Sequence, residues 1–245
     1  MFPEFGLGLG YAWTMTQQTV RDAVLDFAEE LPAVENGVPN FVPCSSMSSG
    51  DSNDRSSRPA ATVFARDQPS LSFTFGPQAQ QLSCMALHHQ MVVVAHLATF
   101  TPCTSAQDPA CPRDNRYQYS SLVAYGPAGD LLAVYHKSHL FGESNAFDQP
   151  AVPDPTFFDA PSVGVRFGMI ICYDLQFHEP LDTYVKWGIT DVLFSAQYVN
   201  GPPTTMAIQQ QLGRAALNQV NLIAANAGWG PSVRSRLRFH WAYRC

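Results

Sequence analysis

Hydrophobic and polar positions along the chain follow two alternating periods, which together predict an α/β domain. Apolar residues at helical spacing predict a helix over residues 20–31, and Pro32 is expected to end it. Helical patterns return over residues 77–90 and 205–219. Apolar runs of strand length occur at residues 91–98, 122–125, 131–135, 163–172, 191–195 and 221–225. Strands separated by helices, with one meander over 122–135, predict mixed sheets in a single domain.

Two segments lack this periodicity, one predicted to be an insertion within the domain and the other a tail that follows it. Residues 45–59 are rich in Ser, Asp and Arg, which predicts a disordered insertion, because such a composition buries too little apolar surface to fold. Residues 227–245 carry arginines between aromatic residues. A small nucleic-acid or membrane patch would show the same pattern, but an atypical, non-native tail is the favoured interpretation. The predicted domain therefore covers residues 1–226.

Composition and charge narrow the class of protein. The 245 residues include 46% hydrophobic and 14% charged side chains, which is typical of a folded domain with a sizeable core. The net charge of −6 and the pI near 5.5 argue against a nucleic-acid partner, which selects a basic surface. No apolar run approaches the ~18–20 residues of a membrane-spanning helix, and no signal peptide is recognisable at the start.

The spacing of the cysteines bears on the cellular compartment. Cys103 and Cys111 bracket a short polar loop, which predicts a disulfide and an oxidising environment. No Asn-x-Ser/Thr sequon is present, so glycosylation adds no support for secretion. Because no two cysteines stand in C-x-x-C spacing, no structural zinc site is expected.

The apolar run that ends at Cys172 is the most informative segment for chemistry. A cysteine at a strand-to-helix turn has its sulfur at the end of the sheet, where following backbone N–H groups point towards a developing oxyanion. Cys172 would then be a nucleophile. The alternative is a small core residue, because cysteines outside disulfides are among the most buried residue types.

Two further strand ends carry charged residues that suit a cysteine nucleophile. Lys137 follows a strand and is either a surface residue that extends to solvent or a buried cation that stabilises a thiolate and an oxyanion. Glu4, in Phe-Pro-Glu, supplies a carboxylate at a third strand end. Glu4, Lys137 and Cys172 would together supply a base, an electrostatic stabiliser and a nucleophile.

These three segments resemble the signature motifs of the nitrilase, or carbon–nitrogen hydrolase, superfamily, whose catalytic triad is Glu-Lys-Cys. Further segments, among them the Arg-Tyr-Gln-Tyr run, resemble its vanin (pantetheinase) and biotinidase branch. The stretches that carry this likeness are residues 10–13, 82–86, 102–103, 108–112, 114–119, 135–137, 172–174, 177–180 and 222–226. The resemblance implies a nitrilase-type α-β-β-α sandwich. It also implies a fold that is incomplete at the N- and C-termini, because the family's initial strand and helix and its later Gly-rich strand lack counterparts.

The resemblance implies that the chain is an amidase and assigns a role to each residue of the triad. Glu4 would accept the thiol proton, and Cys172 would attack the amide carbon. Lys137 and the backbone N–H of Tyr173 would hold the tetrahedral oxyanion. No metal or organic cofactor is expected, because the nucleophile supplies the covalent chemistry.

The same resemblance extends beyond the triad. It pairs Cys84 with Cys44, and it matches Glu143 to a second family carboxylate, with a solvent-exposed glutamate as the alternative. By the same resemblance, either Glu4 or Glu143 would activate the water that hydrolyses the acyl-thioester. The expected pocket residues are Glu143, Tyr173, His178, Tyr198 and Asn200.

Three hypotheses for function stay open. The first is an amidase for small-molecule amides, with pantetheine (giving pantothenate and cysteamine) as the leading substrate and biotin amides such as biocytin second. The second is a non-catalytic remnant that keeps the triad in sequence without assembling it. The third is a Cys–His hydrolase using His178, six residues after Cys172. The disulfide loop favours an extracellular or membrane-anchored parent protein.

Overall fold

The computed structural model describes residues 17–32, 34, 41–46, 61–64, 72–198, 200–201, 205–227 and 235–239. The helices are α1 (Gln17–Leu25), α2 (Pro77–His89), α3 (Leu181–Lys186) and α4 (Ala207–Asn218), with 3₁₀ helices at Pro43–Ser46 and Cys172–Gln176. The strands are β1 (Glu29–Glu30), β2 (Ala61–Phe64), β3 (Ser72–Phe75), β4 (Val93–Pro102), β5 (Arg116–Tyr125), β6 (Leu131–His136), β7 (Phe157–Ala160), β8 (Val165–Ile171), β9 (Asp191–Ala196), β10 (Asn200–Gly201), β11 (Thr205–Met206), β12 (Asn221–Asn226) and β13 (Ser235–Phe239).

Two sheets form the centre of the molecule. The first has the strand order β1-β4-β5-β6, in which β4, β5 and β6 are antiparallel and β1 joins β4 in parallel. The second has the order β13-β12-β9-β8-β7, with β12, β9 and β8 parallel and an antiparallel strand at each edge. Strands β2 and β3 form a separate ribbon, as do β10 and β11.

The inner faces of the two sheets pack against each other. Leu122 and Tyr135 of the first sheet share one buried cluster with Ile170 and Phe194 of the second. Burial of a large apolar side chain stabilises the folded state by roughly 1.5–3 kcal/mol, so burial of this shared cluster is the main contribution that holds the two sheets together. The central strands β8 and β9 are near-continuous apolar runs, as expected where both faces of a parallel sheet are covered.

Helices cover the outer faces of both sheets. Leu82 and Ala86 of α2 pack against Val123 of the first sheet. Helices α3 and α4 connect the parallel strands of the second sheet, and their Tyr184 and Ala215 belong to the central cluster. Since the first sheet occupies the inner face, α3 and α4 lie on the outer one. The resulting α-β-β-α sandwich confirms the predicted fold class.

Two disulfides attach loops to this sandwich. Cys44 is bonded to Cys84, with 4.8 Å between the Cα atoms, and this bond links the first 3₁₀ helix to α2. Cys103 is bonded to Cys111, with 5.9 Å between the Cα atoms, and this bond closes the loop between β4 and β5. Both pairings confirm the sequence-based expectation.

Tertiary pairing changes several predicted elements. The helix expected to reach residue 31 ends at Leu25, because Glu29 and Glu30 pair with Thr99 and Phe100 as strand β1. Strand β5 begins at Arg116, earlier than expected, since its polar first half is paired along the whole of β4. Strand β7 and the β2–β3 ribbon were not predicted at all.

The predicted insertion and tail fall largely outside the described residues. Of the insertion at 45–59, only residues 45–46 are described, at the end of the first 3₁₀ helix. In the segment expected to be an atypical tail, β13 pairs antiparallel with β12 and extends the second sheet. None of the helices in the described ranges has the length and hydropathy needed to span a bilayer.

Candidate active site

Lys137 and Cys172 lie at the carboxyl ends of strands from different sheets. Lys137 follows β6, and its backbone N–H donates to the carbonyl oxygen of Ser120 on β5 at 2.9 Å. Cys172 follows β8 and begins the second 3₁₀ helix. Lys137 is 2% exposed and Cys172 is 6% exposed. Both segments are thus buried, and the packing of the two sheets determines their relative position.

Cys172 has an unusual backbone conformation. Its φ of 44° lies in the left-handed region, which costs a residue other than glycine roughly 1–3 kcal/mol and is concentrated at functional sites. This conformation turns the chain sharply out of β8. Among the described cysteines, Cys172 keeps a thiol while the other four form disulfides. Cys172 also belongs to the central apolar cluster. It therefore has both the buried environment of a core residue and the strand-end turn expected of a nucleophile.

Lys137 forms a buried ion pair with Glu143. The Lys137 Nζ donates to Glu143 Oε1, and the other carboxylate oxygen accepts the backbone N–H of Phe141 at 2.6 Å. Their side chains are 1% and 7% exposed. Lys137 is therefore a buried cation and Glu143 a buried carboxylate, which contradicts the surface interpretation of each.

A neutral histidine lies beside this ion pair. Burial, with a smaller contribution from the charge of Lys137, lowers the pKa of His96 to about 3. The His96 Nε2 is 2.8 Å from the Ser120 hydroxyl, so its ring has a polar partner. His96 stays uncharged at neutral pH and adds no second positive charge next to Lys137.

A carboxylate links the two predicted motifs. Asp174, in the turn that begins with Cys172, accepts the backbone N–H groups of Ile171 at 3.0 Å and of His139 at 2.8 Å. Ile171 precedes Cys172, and His139 follows Lys137 by two residues. The backbones on both sides of the site are therefore hydrogen-bonded to one side chain.

Aromatic rings surround the turn that carries Cys172. The Tyr173 ring contacts those of Phe141 and Phe177, with centroid distances of 5.0 and 5.2 Å. On another side, burial and, to a smaller extent, the charge of nearby Cys172 raise the pKa of Tyr198. Tyr198 is 6% exposed and belongs to the same buried cluster as Cys172.

Three of the predicted site residues do not have side chains that the structure places in the buried site. Glu4 and the side chain of Asn200 lie outside the described residues; the backbone of Asn200 begins β10. The His178 side chain is 85% exposed, and its Nδ1 is 3.0 Å from Asp182 on α3. The ring of His178 therefore faces solvent.

Sequence reasoning missed two residues that hold the site together. Asp174 is fully buried, and a carboxylate two positions after a strand-end cysteine is a signal that could have found it. Asn226, at the end of β12, accepts the backbone N–H of Tyr198 at 2.7 Å and donates to its carbonyl oxygen at 3.0 Å. This reciprocal pair orders the chain after β9, and no local pattern indicates it.

A family model described as carbon-nitrogen hydrolase matches residues 2–230. The chain belongs to the carbon–nitrogen hydrolase family. A pantetheinase of Canis lupus familiaris is 31% identical over 225 residues, which is 91% of this chain and 37% of that relative. A biotinidase of Takifugu rubripes is 40% identical over 148 residues, which is 60% of this chain and 29% of the relative. The chain thus spans well under half the length of either relative.

Among solved structures, an amidase from Nesterenkonia sp. is similar to this chain with a TM-score of 0.49 and 24% sequence identity. The superposition covers 62% of this chain and 52% of that one.

Within the described residues, no group of three or more His, Cys, Asp and Glu side chains is arranged to hold a metal ion.

Proposed function

We propose that this chain is a cysteine amidase that hydrolyses a linear, non-peptide amide bond. The observation that carries the proposal is the buried Lys137–Glu143 ion pair, connected through Asp174 to the turn that bears Cys172. Burial of an ion pair costs several kcal/mol per charge in lost hydration, so it is a poor device for stability alone. A buried cation near a thiol is useful, because it favours the thiolate and an oxyanion.

The reaction would proceed in two halves through a thioester. Glu4 accepts the thiol proton while Cys172 Sγ attacks the carbonyl carbon, and the carbonyl electron pair moves to oxygen. Lys137 and the backbone N–H of Tyr173 stabilise that oxyanion. The intermediate collapses, the carbon–nitrogen bond breaks, and the amine leaves with the proton from Glu4. A water molecule, deprotonated by Glu4, then attacks the thioester carbon. The carbon–sulfur bond breaks, the carboxylic acid is released, and the proton held by Glu4 returns to Cys172 Sγ.

The geometry of Glu143 supports Glu4 as the base. Both oxygens of Glu143 are engaged, one by Lys137 and the other by the Phe141 N–H. Glu143 is thus engaged in orienting the ammonium group, and this proposal leaves the proton transfers to Glu4.

The leading substrate in this proposal is pantetheine, and biotin amides such as biocytin are the second class. Two pantetheinase relatives align with 91% and 88% of the chain at 31% and 30% identity, and a third aligns with 63% at 37% identity. The biotinidase relatives align with 60% of the chain at 38–41% identity. An extracellular or membrane-anchored setting belongs to the same proposal, since two disulfides are stable in an oxidising compartment.

The test is hydrolysis of pantetheine and of biocytin by the purified chain, with the released cysteamine or lysine quantified. Cys172→Ala should reduce the rate by a factor on the order of 10⁴ or more. In parallel, alkylation of Cys172 by iodoacetamide across pH should show a midpoint well below the ~8.5 of a free thiol, and Lys137→Ala should move it upwards. Failure to cleave either amide, together with ordinary thiol reactivity, would identify a non-catalytic remnant.

A matched pair of variants separates this mechanism from a Cys–His hydrolase. Glu4→Gln should lower kcat by about 10²–10⁴-fold, because the general base is lost. His178→Ala should leave kcat within about threefold of wild type, since its ring is exposed and paired with Asp182. The reverse result would assign the base to His178.

A further inference from the structure

Asp174 occupies an unusual position for a carboxylate. It is completely buried between the ends of β6 and β8, and four hydrogen-bond donors point at its two oxygens. Oδ2 accepts the Tyr135 hydroxyl at 2.7 Å and the Ile171 N–H at 3.0 Å. Oδ1 accepts the His139 N–H at 2.8 Å, and the His139 Nδ1 lies 3.1 Å away.

These donors belong to three segments that meet at the site. Tyr135 is on β6 in the first sheet, His139 is in the loop that carries Lys137, and Ile171 ends β8 in the second sheet. A carboxylate buried in this way loses its hydration, and only a nearly complete set of donors offsets that loss. The four bonds therefore hold the three segments in a single arrangement.

We propose that Asp174 is a positioning residue that sets the distance and direction of Lys137 relative to the Cys172 thiol. One carboxylate is bonded to the backbone immediately before Cys172 and to the backbone two residues after Lys137. The inference rests on the proposed amidase function, in which Lys137 must face the oxyanion that forms next to Cys172. Asp174 has no oxygen left for a substrate, so it acts through these two neighbours.

Asp174→Asn tests the carboxylate with almost no change in volume. In either orientation of the amide, its NH₂ group replaces a carboxylate oxygen and faces N–H or O–H donors that this oxygen accepted in wild type. Because a donor cannot accept a hydrogen bond, at least one bond to the loop or to the turn is lost. Because a misplacement of about 1 Å at a reacting centre can lower the rate by roughly 10²-fold, we expect kcat to fall by about that factor. KM should stay within about threefold, since no substrate contact is removed.

Two tyrosines provide a matched pair of milder variants. Tyr135 and Tyr184 are both fully buried, and each uses its hydroxyl in hydrogen bonds. The Tyr135 hydroxyl reaches Asp174, whereas the Tyr184 hydroxyl donates to the Met169 carbonyl on β8 at 2.7 Å. Removal of either hydroxyl deletes several buried hydrogen bonds, among them those of Tyr135 with Ser138 and of Tyr184 with Thr156. Of the two variants, only Tyr135→Phe removes a bond to Asp174.

Two measurements on wild type, Asp174→Asn, Tyr135→Phe and Tyr184→Phe decide the question. Hydrogen exchange, read on peptides that cover residues 136–142 and 168–177, tests the link itself. The pH midpoint of Cys172 alkylation and the kcat for amide hydrolysis test its effect on the site. In Tyr135→Phe and Asp174→Asn both peptides should exchange faster together, the alkylation midpoint should rise, and kcat should fall, by about 5–20-fold in the milder variant.

The outcomes separate this inference from the proposed function. If wild type cleaves no amide but both peptides still exchange faster together in Tyr135→Phe and Asp174→Asn, the proposed amidase function is wrong and the structural link through Asp174 is still supported. If wild type is active and Tyr135→Phe matches Tyr184→Phe in kcat, alkylation midpoint and exchange, Asp174 is not a positioning residue. Tyr135→Phe decides this even if Asp174→Asn does not fold.

Discussion

Removal of one charge from the Lys137–Glu143 pair should destabilise the protein far more than removal of an exposed charge. Glu143→Gln preserves the shape of the side chain but removes the buried negative charge that is paired with the Lys137 ammonium. Breaking a buried pair in this way costs about 3–5 kcal/mol. For a domain of this length, each kcal/mol lowers the melting temperature by about 2–4 °C, so Tm should fall by about 6–20 °C.

The matched control is Asp159→Asn, which breaks the surface pair with Arg166. Those two side chains are 58% and 48% exposed, so water replaces the lost partner and Tm should stay within about 2 °C of wild type. Thermal and urea unfolding at pH 7, followed by circular dichroism, measure both variants. Equal losses in the two variants, or a change of less than about 1 kcal/mol in Glu143→Gln, would refute the argument.

A double variant tests whether the pair exists for stability or for chemistry. Lys137→Met with Glu143→Leu removes both charges and fills the site with apolar groups of similar length. Such replacements are often neutral or stabilising, so the double variant should be more stable than Glu143→Gln alone. It should also lack amidase activity, because the cation is gone. A double variant less stable than the single one would show that the pair contributes net stability.

Two further predictions concern the scaffold. Gly168→Ala should destabilise the protein by about 1–3 kcal/mol, because the new Cβ would lie 2.8 Å from the buried Tyr184 ring. Gly213→Ala, in open space on α4, should stabilise the protein by about 0.5–1 kcal/mol. Urea unfolding measures both changes, and changes of the same sign would contradict the packing argument. Burial raises the pKa of Glu29, whose carboxylate accepts N–H groups at the start of α2, from 4.5 to about 7. The folded state thus binds this proton more tightly than the unfolded state does. The resulting contribution to the free energy of unfolding is largest below pH 4.5 and is lost as pH rises to 7. The stability of wild type relative to Glu29→Gln should therefore fall by about 3 kcal/mol over that interval, and a constant difference would contradict it.

Local pattern was sufficient for the helices that bury one face and for the strands built on an apolar run. Helices α2 and α4 and the apolar strands β4, β6, β8, β9 and β12 agree with the prediction to within a few residues, because helix and strand periods differ. Pairing that depends on distant partners was not visible: β1 is only two residues long and forms because β4 offers it an edge. The polar half of β5 is a strand for the same reason.

For the candidate site, the sequence by itself determined which residues could carry the chemistry, and the tertiary structure decided how they are held. Cys172 and Lys137 each follow an apolar strand, a position that local pattern specifies, and the family resemblance added Glu143. That Lys137 and Glu143 are buried together could not be predicted, because burial of a charge depends on what packs over it. Asp174 meets its partners Tyr135 and His139 across 39 and 35 residues of sequence. Those contacts exist only once the two sheets have packed, since the packing brings the ends of β6 and β8 to one place.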